Sequence, residues 1–166
     1  MRILMATMGL GIGGAETHIV ELAKELNAQG HQVLIVSNGG VYVREVERAG
    51  IRHIQAPLHQ RSLGAMYRAM GVLWGVIRRE RPDVVHAHAR IPAFLCGMLC
   101  GRMKVPFVTT AHWVFDTRGA LRYLTNWGER TVAVSEDIKA YLIREYGLPA
   151  GHITVTINGI DTEKFS

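Results

Sequence analysis

Cysteine is scarce in this chain. Two residues in 166, Cys96 and Cys100, are too few for the disulfide framework on which small secreted domains depend. Long apolar runs are also missing, because Arg68, Arg78 and Arg102 interrupt each candidate before it reaches the roughly 20 residues of a membrane-spanning helix. The opening Met1-Arg2-Ile3-Leu4-Met5 runs into glycines, without the apolar stretch and cleavage pattern of a signal peptide, so a cytoplasmic location is expected. Aromatics are 7% and the basic residues are scattered, which leaves nucleic-acid binding without support. There is no Asp-x-Asp pair to carry a metal–diphosphate, no G-x-x-x-x-G-K-S/T phosphate loop and no G-x-S-x-G elbow.

What remains is a chain able to fold. Hydrophobic residues make up 48% and charged residues 20%, enough for one core and too apolar for disorder. The net charge of +5 favours anionic partners such as phosphates, acidic glycans or a membrane surface. Apolar clusters alternate with turn residues. Strands are expected at 3–6, 33–36, 51–55, 84–87, 107–110, 131–134 and 153–157, and helices at 15–29, 41–49, 63–79 and 91–103, with Ser135-Glu136-Asp137 opening another. In the helix at 63–79 the spacing predicts a buried stripe of Leu63, Met66, Tyr67, Met70, Leu73, Trp74 and Ile77, with Gly71-x-x-x-Gly75 allowing close packing. Regular strand–helix alternation with apolar strands implies a parallel sheet covered on both faces, a Rossmann-like, doubly wound α/β domain spanning 1–166. Ligands of such sheets bind outside the carboxyl ends of the strands, so the residues following each strand carry the functional reading.

Gly9-Leu-Gly11-Ile-Gly13-Gly14 matches G-x-G-x-x-G between a strand and a helix, which would bring backbone N–H groups and a helix N-terminus up to a phosphate. The NAD(P) version of this loop wants an acidic residue about 20 positions on, and the second strand ends instead in Ser37-Asn38-Gly39-Gly40. An NAD(P)-binding oxidoreductase domain, a non-catalytic glycan or nucleotide-sugar binding module, and a loop that merely turns the chain stay open as alternatives. In His86-Ala-His88-Ala-Arg90, alternation sends the three polar residues to one side; His86 is expected to be a satisfied core histidine, and His88 and Arg90 to face a ligand. Cys96 and Cys100 lie one turn apart on an apolar helix, where thiols pack, and no four-ligand spacing exists, so no metal is expected. Thr109-Thr110-Ala111-His112 sets a histidine at a strand's carboxyl end beside the glycine loop, where chemistry is placed. The basic run Arg78, Arg79 and Arg81 matches a helix C-terminus and could also meet an anionic surface.

Taken together, Gly13-Gly14-Ala15-Glu16, Asp83-Val-Val-His86-Ala-His88-Ala-Arg90-Ile-Pro92, Thr109-Thr110-Ala111-His112, Val134-Ser135-Glu136 and Ile157-Asn158-Gly159-Ile160-Asp161 resemble the family-four retaining glycosyltransferases of the GT-B fold, in the family's order along almost the whole chain. The resemblance is to the N-terminal, acceptor-side domain of those two-domain enzymes. It implies that 158–166 leads into the interdomain linker, that a C-terminal donor-binding domain lies outside these residues, and that the isolated domain is inactive. It further implies that Gly13 and Gly14 approach the diphosphate of a nucleoside-diphosphate sugar, with Glu16 either meeting that ligand or capping the helix. His112 would stand near the donor sugar and reacting centre. His88, Arg90 and Arg61 would line the acceptor side, and Ser135 and Glu136 the helix start beneath the cleft, Ser135 equally serving as an N-cap. The implied reaction is metal-independent sugar transfer with retention to a polysaccharide, lipopolysaccharide or lipid-linked hydroxyl, the nucleotide sugar being a co-substrate and no cofactor being needed. A peripheral contact at the inner membrane face follows as an expectation. GT-B-like sugar-nucleotide epimerases share the layout.

Overall fold

The computed structural model describes residues 1–113 and 125–156; the Ile157-Asn158-Gly159-Ile160-Asp161 motif lies outside them. The order of elements is Arg2–Ala6 (β1), Gly14–Ala28 (α1), Gln32–Ser37 (β2), Val43–Arg48 (α2), Arg52–Gln55 (β3), Leu63–Glu80 (α3), Val84–Ala87 (β4), Arg90–Met103 (α4), Phe107–Ala111 (β5), Arg130–Ala133 (β6), Glu136–Tyr146 (α5) and Ile153–Val155 (β7). The strands form one sheet in the order β3-β2-β1-β4-β5-β6-β7, every neighbouring pair parallel. The doubly wound expectation holds, and the reversal of strand order falls between β1 and β4, which fixes where a crevice opens.

Side-chain alternation along the strands divides the core. Ile3 and Met5 of β1, with Val33 and Ile35 of β2, pack with Ile19, Val20 and Ala23 of α1 and Val46 of α2. Leu4 and Ala6, with Leu34 and Val36, pack on the other side with Ala69, Leu73, Val76 and Ile77 of α3 and Leu95, Cys96, Leu99 and Cys100 of α4. This is the period-two geometry of a strand buried on both faces, and it explains why these segments read as continuous apolar runs. A third cluster sets Ile138, Tyr141 and Leu142 of α5 against Ala111, Ala133 and Ile153.

Helix ends follow local chemistry. The Ser62 hydroxyl accepts from the Ala65 N–H at 3.3 Å to start α3, and Arg81 (φ 48) closes it ahead of Pro82. Ser135 starts α5 in the same way, through the Ile138 N–H at 3.2 Å, and Gly147 (φ 65) ends it.

The face that α3 buries differs from the expected stripe. Ala65, Ala69, Leu73, Val76 and Ile77 are buried, whereas Leu63 (85% exposed), Tyr67 (82%) and Trp74 (38%) point outward. Met66 and Met70 lie partly buried at the margin. The helix is rotated so that small side chains meet the interior, where bulky ones would hold it away. Gly71 and Gly75 also lie on the exposed side, so they do not mediate packing.

Candidate functional site

The carboxyl ends of β1 and β4 bring the glycine loop beside the histidine-rich segment. Leu10 anchors the loop: its side chain is fully buried in the α1-side core. Its N–H donates to Gly39 O at 2.9 Å, and its carbonyl accepts from Tyr42 N–H at 3.1 Å. The turn after β2 supports this contact at glycine positions. Gly40 has φ +144, and a Cβ there would overlap the Leu10 carbonyl and stand 2.8 Å from Gly11 N. The loop is therefore held backbone to backbone by Gly39-Gly40, a role that spacing alone did not reveal. Ile12 rides at the loop tip, 88% exposed.

Gly13 caps α1 in an extended conformation (φ 175), and its carbonyl accepts from Thr17 N–H at 3.0 Å and Thr17 Oγ1 at 2.9 Å. The Glu16 carboxylate folds back against Gly13, where an added Cβ would strike it. An acid in the first turn suits the positive end of the helix dipole. The carboxylate thus sits at the helix start beside Gly13, a position that suits either reading left open for Glu16.

The register Met5↔His86↔Val108 puts His86, Thr110 and the residues two further on each strand on the α1 face of the sheet. Four imidazoles meet there. His86 Nε2 lies 2.6 Å from Thr110 Oγ1, and its ring is 4.0 Å from that of His88. His88 Nδ1 lies 3.3 Å from His112 Nε2. His18, from the first turns of α1, sets its ring edge-on to His112 with centroids 5.3 Å apart. The glycine-loop helix and His112 thus share one rim.

Burial keeps this cluster uncharged. It pushes His112 down to about 4, with a further contribution from His18. It pushes His86 down to about 3, with His112 and His18 adding to the effect. Burial also holds His88 well below the usual imidazole value, and repulsion from His86, His112 and His18 adds to this. His18 is lowered by burial alone. At neutral pH the rim offers hydrogen-bond donors and acceptors rather than histidine cations. Among the described residues no group of His, Cys, Asp or Glu is arranged to hold a metal ion; the imidazoles stack instead of converging. Cys96 and Cys100 are buried, and burial raises both thiols.

The remaining expected residues spread along the same sheet edge. His88, expected on the acceptor side, is 3% exposed, with its ring turned toward His112. Arg90 lies beyond the reach of strand alternation: β4 ends at Ala87 and Arg90 begins α4. There it lines a small cavity of about 10 Å³ with Ala93, Thr109, Thr110 and Trp127. Arg61 is exposed in the segment after edge strand β3, two strands from the β1–β4 reversal. Ser135 is the N-cap of α5, and Glu136 is exposed in its first turn. A polar pair that went unnoticed in the sequence lies at the ends of β2 and β3, where Ser37 Oγ sits 2.7 Å from His53 Nε2 and accepts from Gly39 N–H at 3.0 Å. Ser37 is fully buried, so the pair braces the turn that carries Gly40.

Comparison with known proteins bears on this arrangement. The profile of Glycosyltransferase Family 4 matches residues 12–164. One subunit of human phosphatidylinositol N-acetylglucosaminyltransferase is 27% identical over 128 residues, covering 69% of this chain and 25% of that protein. A glycosyltransferase structure from Rickettsia africae has a TM-score of 0.81 at 23% identity, covering 99% of this chain and 45% of the other. Anabaena HepE, solved in complex with UDP, has a TM-score of 0.78 at 19% identity, with 98% and 45% covered. The chain thus spans a quarter to somewhat under half the length of these proteins. The parallel sheet is a Rossmann-like layer of the GT-B kind, and the chain belongs to glycosyltransferase family 4.

Proposed function

We propose that this chain is the N-terminal, acceptor-side domain of an enzyme that transfers a sugar from a nucleoside-diphosphate sugar to an acceptor hydroxyl with retained anomeric configuration. A second, donor-binding domain completes the cleft, and the 166-residue domain alone does not turn over. The observation that carries this reading is the shared rim: α1, opened by Gly13 and Gly14, reaches His112 through the 5.3 Å contact with His18. A helix N-terminus meets a diphosphate with N–H groups and the positive end of its dipole. His112, neutral at physiological pH, orients or hydrogen-bonds oxygen near the reacting centre and does not act as a charged acid. Charge developing on the departing diphosphate is met by fixed dipoles, the main lever such a site has. The structure of Anabaena HepE with UDP supports a nucleotide-sugar donor. Arg90 and Arg61 serve the acceptor side, with Ser135 and Glu136 bordering the cleft.

The acceptor is a polysaccharide, lipopolysaccharide or lipid-linked glycan at the inner membrane face. The outward face of α3 supports a peripheral contact, since Leu63, Tyr67 and Trp74 share it with exposed Arg68 and Arg78. Because α3 joins the carboxyl end of β3 to the start of β4, Leu63 stands at the crevice edge, Arg68 about 8 Å along the helix from it, and Arg78 toward the far edge, roughly 22 Å away at 1.5 Å per residue. A bilayer lying along this stripe would bring a lipid-linked acceptor toward the crevice, which contact through the arginines alone would not. Co-sedimentation with phosphatidylglycerol vesicles should fall for the Tyr67→Ala/Trp74→Ala double variant; unchanged binding would argue against it.

The central test is turnover of the complete gene product with a panel of nucleotide sugars. His112→Ala should lower kcat by roughly 10²–10³, the usual effect of losing one transition-state hydrogen bond. Near-normal turnover would remove His112 from the chemistry. Enhanced NADH fluorescence on mixing with the protein would instead favour the dinucleotide reading.

A further inference from the structure

We infer that His88 is a positioning residue for His112, fixing which ring nitrogen of His112 carries the proton; this rests on the reading of His112 as a group at the reacting centre. His88 is badly placed to meet a substrate itself. Its N–H extends the β1–β4 ladder by donating to Ala6 O at 2.9 Å, and its side chain is buried. One side of the ring is against His86, which is tied to Thr110 at 2.6 Å. Its Nδ1 faces His112 Nε2 at 3.3 Å, the two rings inclined at 29° with centroids 5.6 Å apart. The ring is gripped from behind and presents one nitrogen forward.

A neutral imidazole carries one N–H, and a hydrogen bond between two imidazole nitrogens needs one protonated and one bare. If His88 Nδ1 holds the proton, His112 Nε2 is bare and the proton of His112 must sit on Nδ1. If His112 Nε2 holds it, His88 Nδ1 is bare and the proton of His88 sits on Nε2. The bond therefore forces both rings into the same tautomer, both Nδ1–H or both Nε2–H. With Nε2 committed to His88, Nδ1 is the nitrogen His112 has left for a substrate oxygen. That atom and His88 Nε2 are both buried without a hydrogen-bond partner among the described residues. A substrate reaches Nδ1 by displacing the protein atoms that cover it, and His88 decides whether it meets a donor or an acceptor there. Among the described residues, His18 and His86 are the other titratable groups that face the pair, and both are uncharged at neutral pH.

Long-range ¹H–¹⁵N spectra of the histidine-labelled chain at pH 7 test this directly. The expected result is one shared tautomer for His88 and His112; opposite tautomers would overturn the inference, and the unsubstituted chain alone gives this answer. In His88→Asn an amide group occupies the place of Nδ1 and keeps a hydrogen bond to His112 Nε2, so His112 should stay closer to a single tautomer than where that bond is lost. In His88→Gln the amide falls nearer the place of Nε2, so His112 should become a mixture. A residue that merely fills space would treat the two substitutions alike, and a single unchanged His112 tautomer in both would refute the assignment. In the complete enzyme, kcat should fall by about tenfold or more for His88→Gln and recover for His88→Asn, as expected for a partner that orients a working histidine. Coupled tautomers with equal turnover in all three proteins would uphold the role of His88 and discard that of His112.

Discussion

Replacing Gly40 with alanine tests how the glycine loop is held. At φ +144 the backbone occupies a region that favours glycine, and forcing an L-residue there costs about 1–3 kcal/mol. The added methyl also overlaps the Leu10 carbonyl and comes to 2.8 Å from Gly11 N. These are backbone atoms, unable to swing aside as a side-chain tip would, and overpacking of this kind costs about 1–3 kcal/mol more. Gly39 is the internal control: it has φ +98 but open space around its Cβ position, so Gly39→Ala should cost only about 1–2 kcal/mol of conformational strain. Urea unfolding followed by tryptophan fluorescence should therefore show Gly40→Ala less stable than Gly39→Ala by about 1–3 kcal/mol, the overpacking contribution. Hydrogen exchange at the Leu10 and Tyr42 amides should accelerate in Gly40→Ala. Equal stability of the two variants would refute the backbone-to-backbone account of the loop.

Acid should unfold the domain early. His86 and His112 titrate near 3 and 4 when folded against about 6.5 unfolded, so the unfolded chain binds more protons as pH falls. Their contribution to stability is intact above about pH 6.5 and is lost as pH falls toward the folded values, about 2 kcal/mol apiece by pH 5. Urea midpoints unchanged between pH 7 and pH 5 would contradict this. On α3, Leu73→Ala should destabilise by about 2–5 kcal/mol and Leu63→Ala by less than about 0.5 kcal/mol, a contrast that calorimetry can read. Cys96 should resist thiol reagents in the native state at pH 8 and react on addition of denaturant, because its thiol is buried and its pKa raised.

Much of the architecture was legible because the central strands β1, β2 and β4 are short and mostly apolar and each long helix has its own punctuation. Gly30, Gly50 and Pro82 mark element ends, and Ser62 and Ser135 turn out to be side-chain caps. The rotation of α3 was not legible, since side-chain bulk gives most weight to Leu63, Tyr67 and Trp74 whereas packing favours Ala65 and Ala69. Strand alternation does not reach Arg90 for a related reason: the rule ends with the strand, and β4 stops at Ala87. His112 and the glycine loop could be singled out individually, but the link between His88 and His112 spans 24 positions and depends on the β4–β5 register. Leu10 could not be recognised as an anchor, because its burial depends on a turn 30 residues downstream.

The division of β1 into Ile3 and Met5 on one side and Leu4 and Ala6 on the other has an engineering consequence. The sheet acts as a partition between two rooms, with the imidazoles and the glycine turn furnishing one and Arg90 with the α3–α4 layer the other. Hardening the second room by repacking under α3 can therefore leave the working groups of the first untouched, since among the described residues the sheet stands between them.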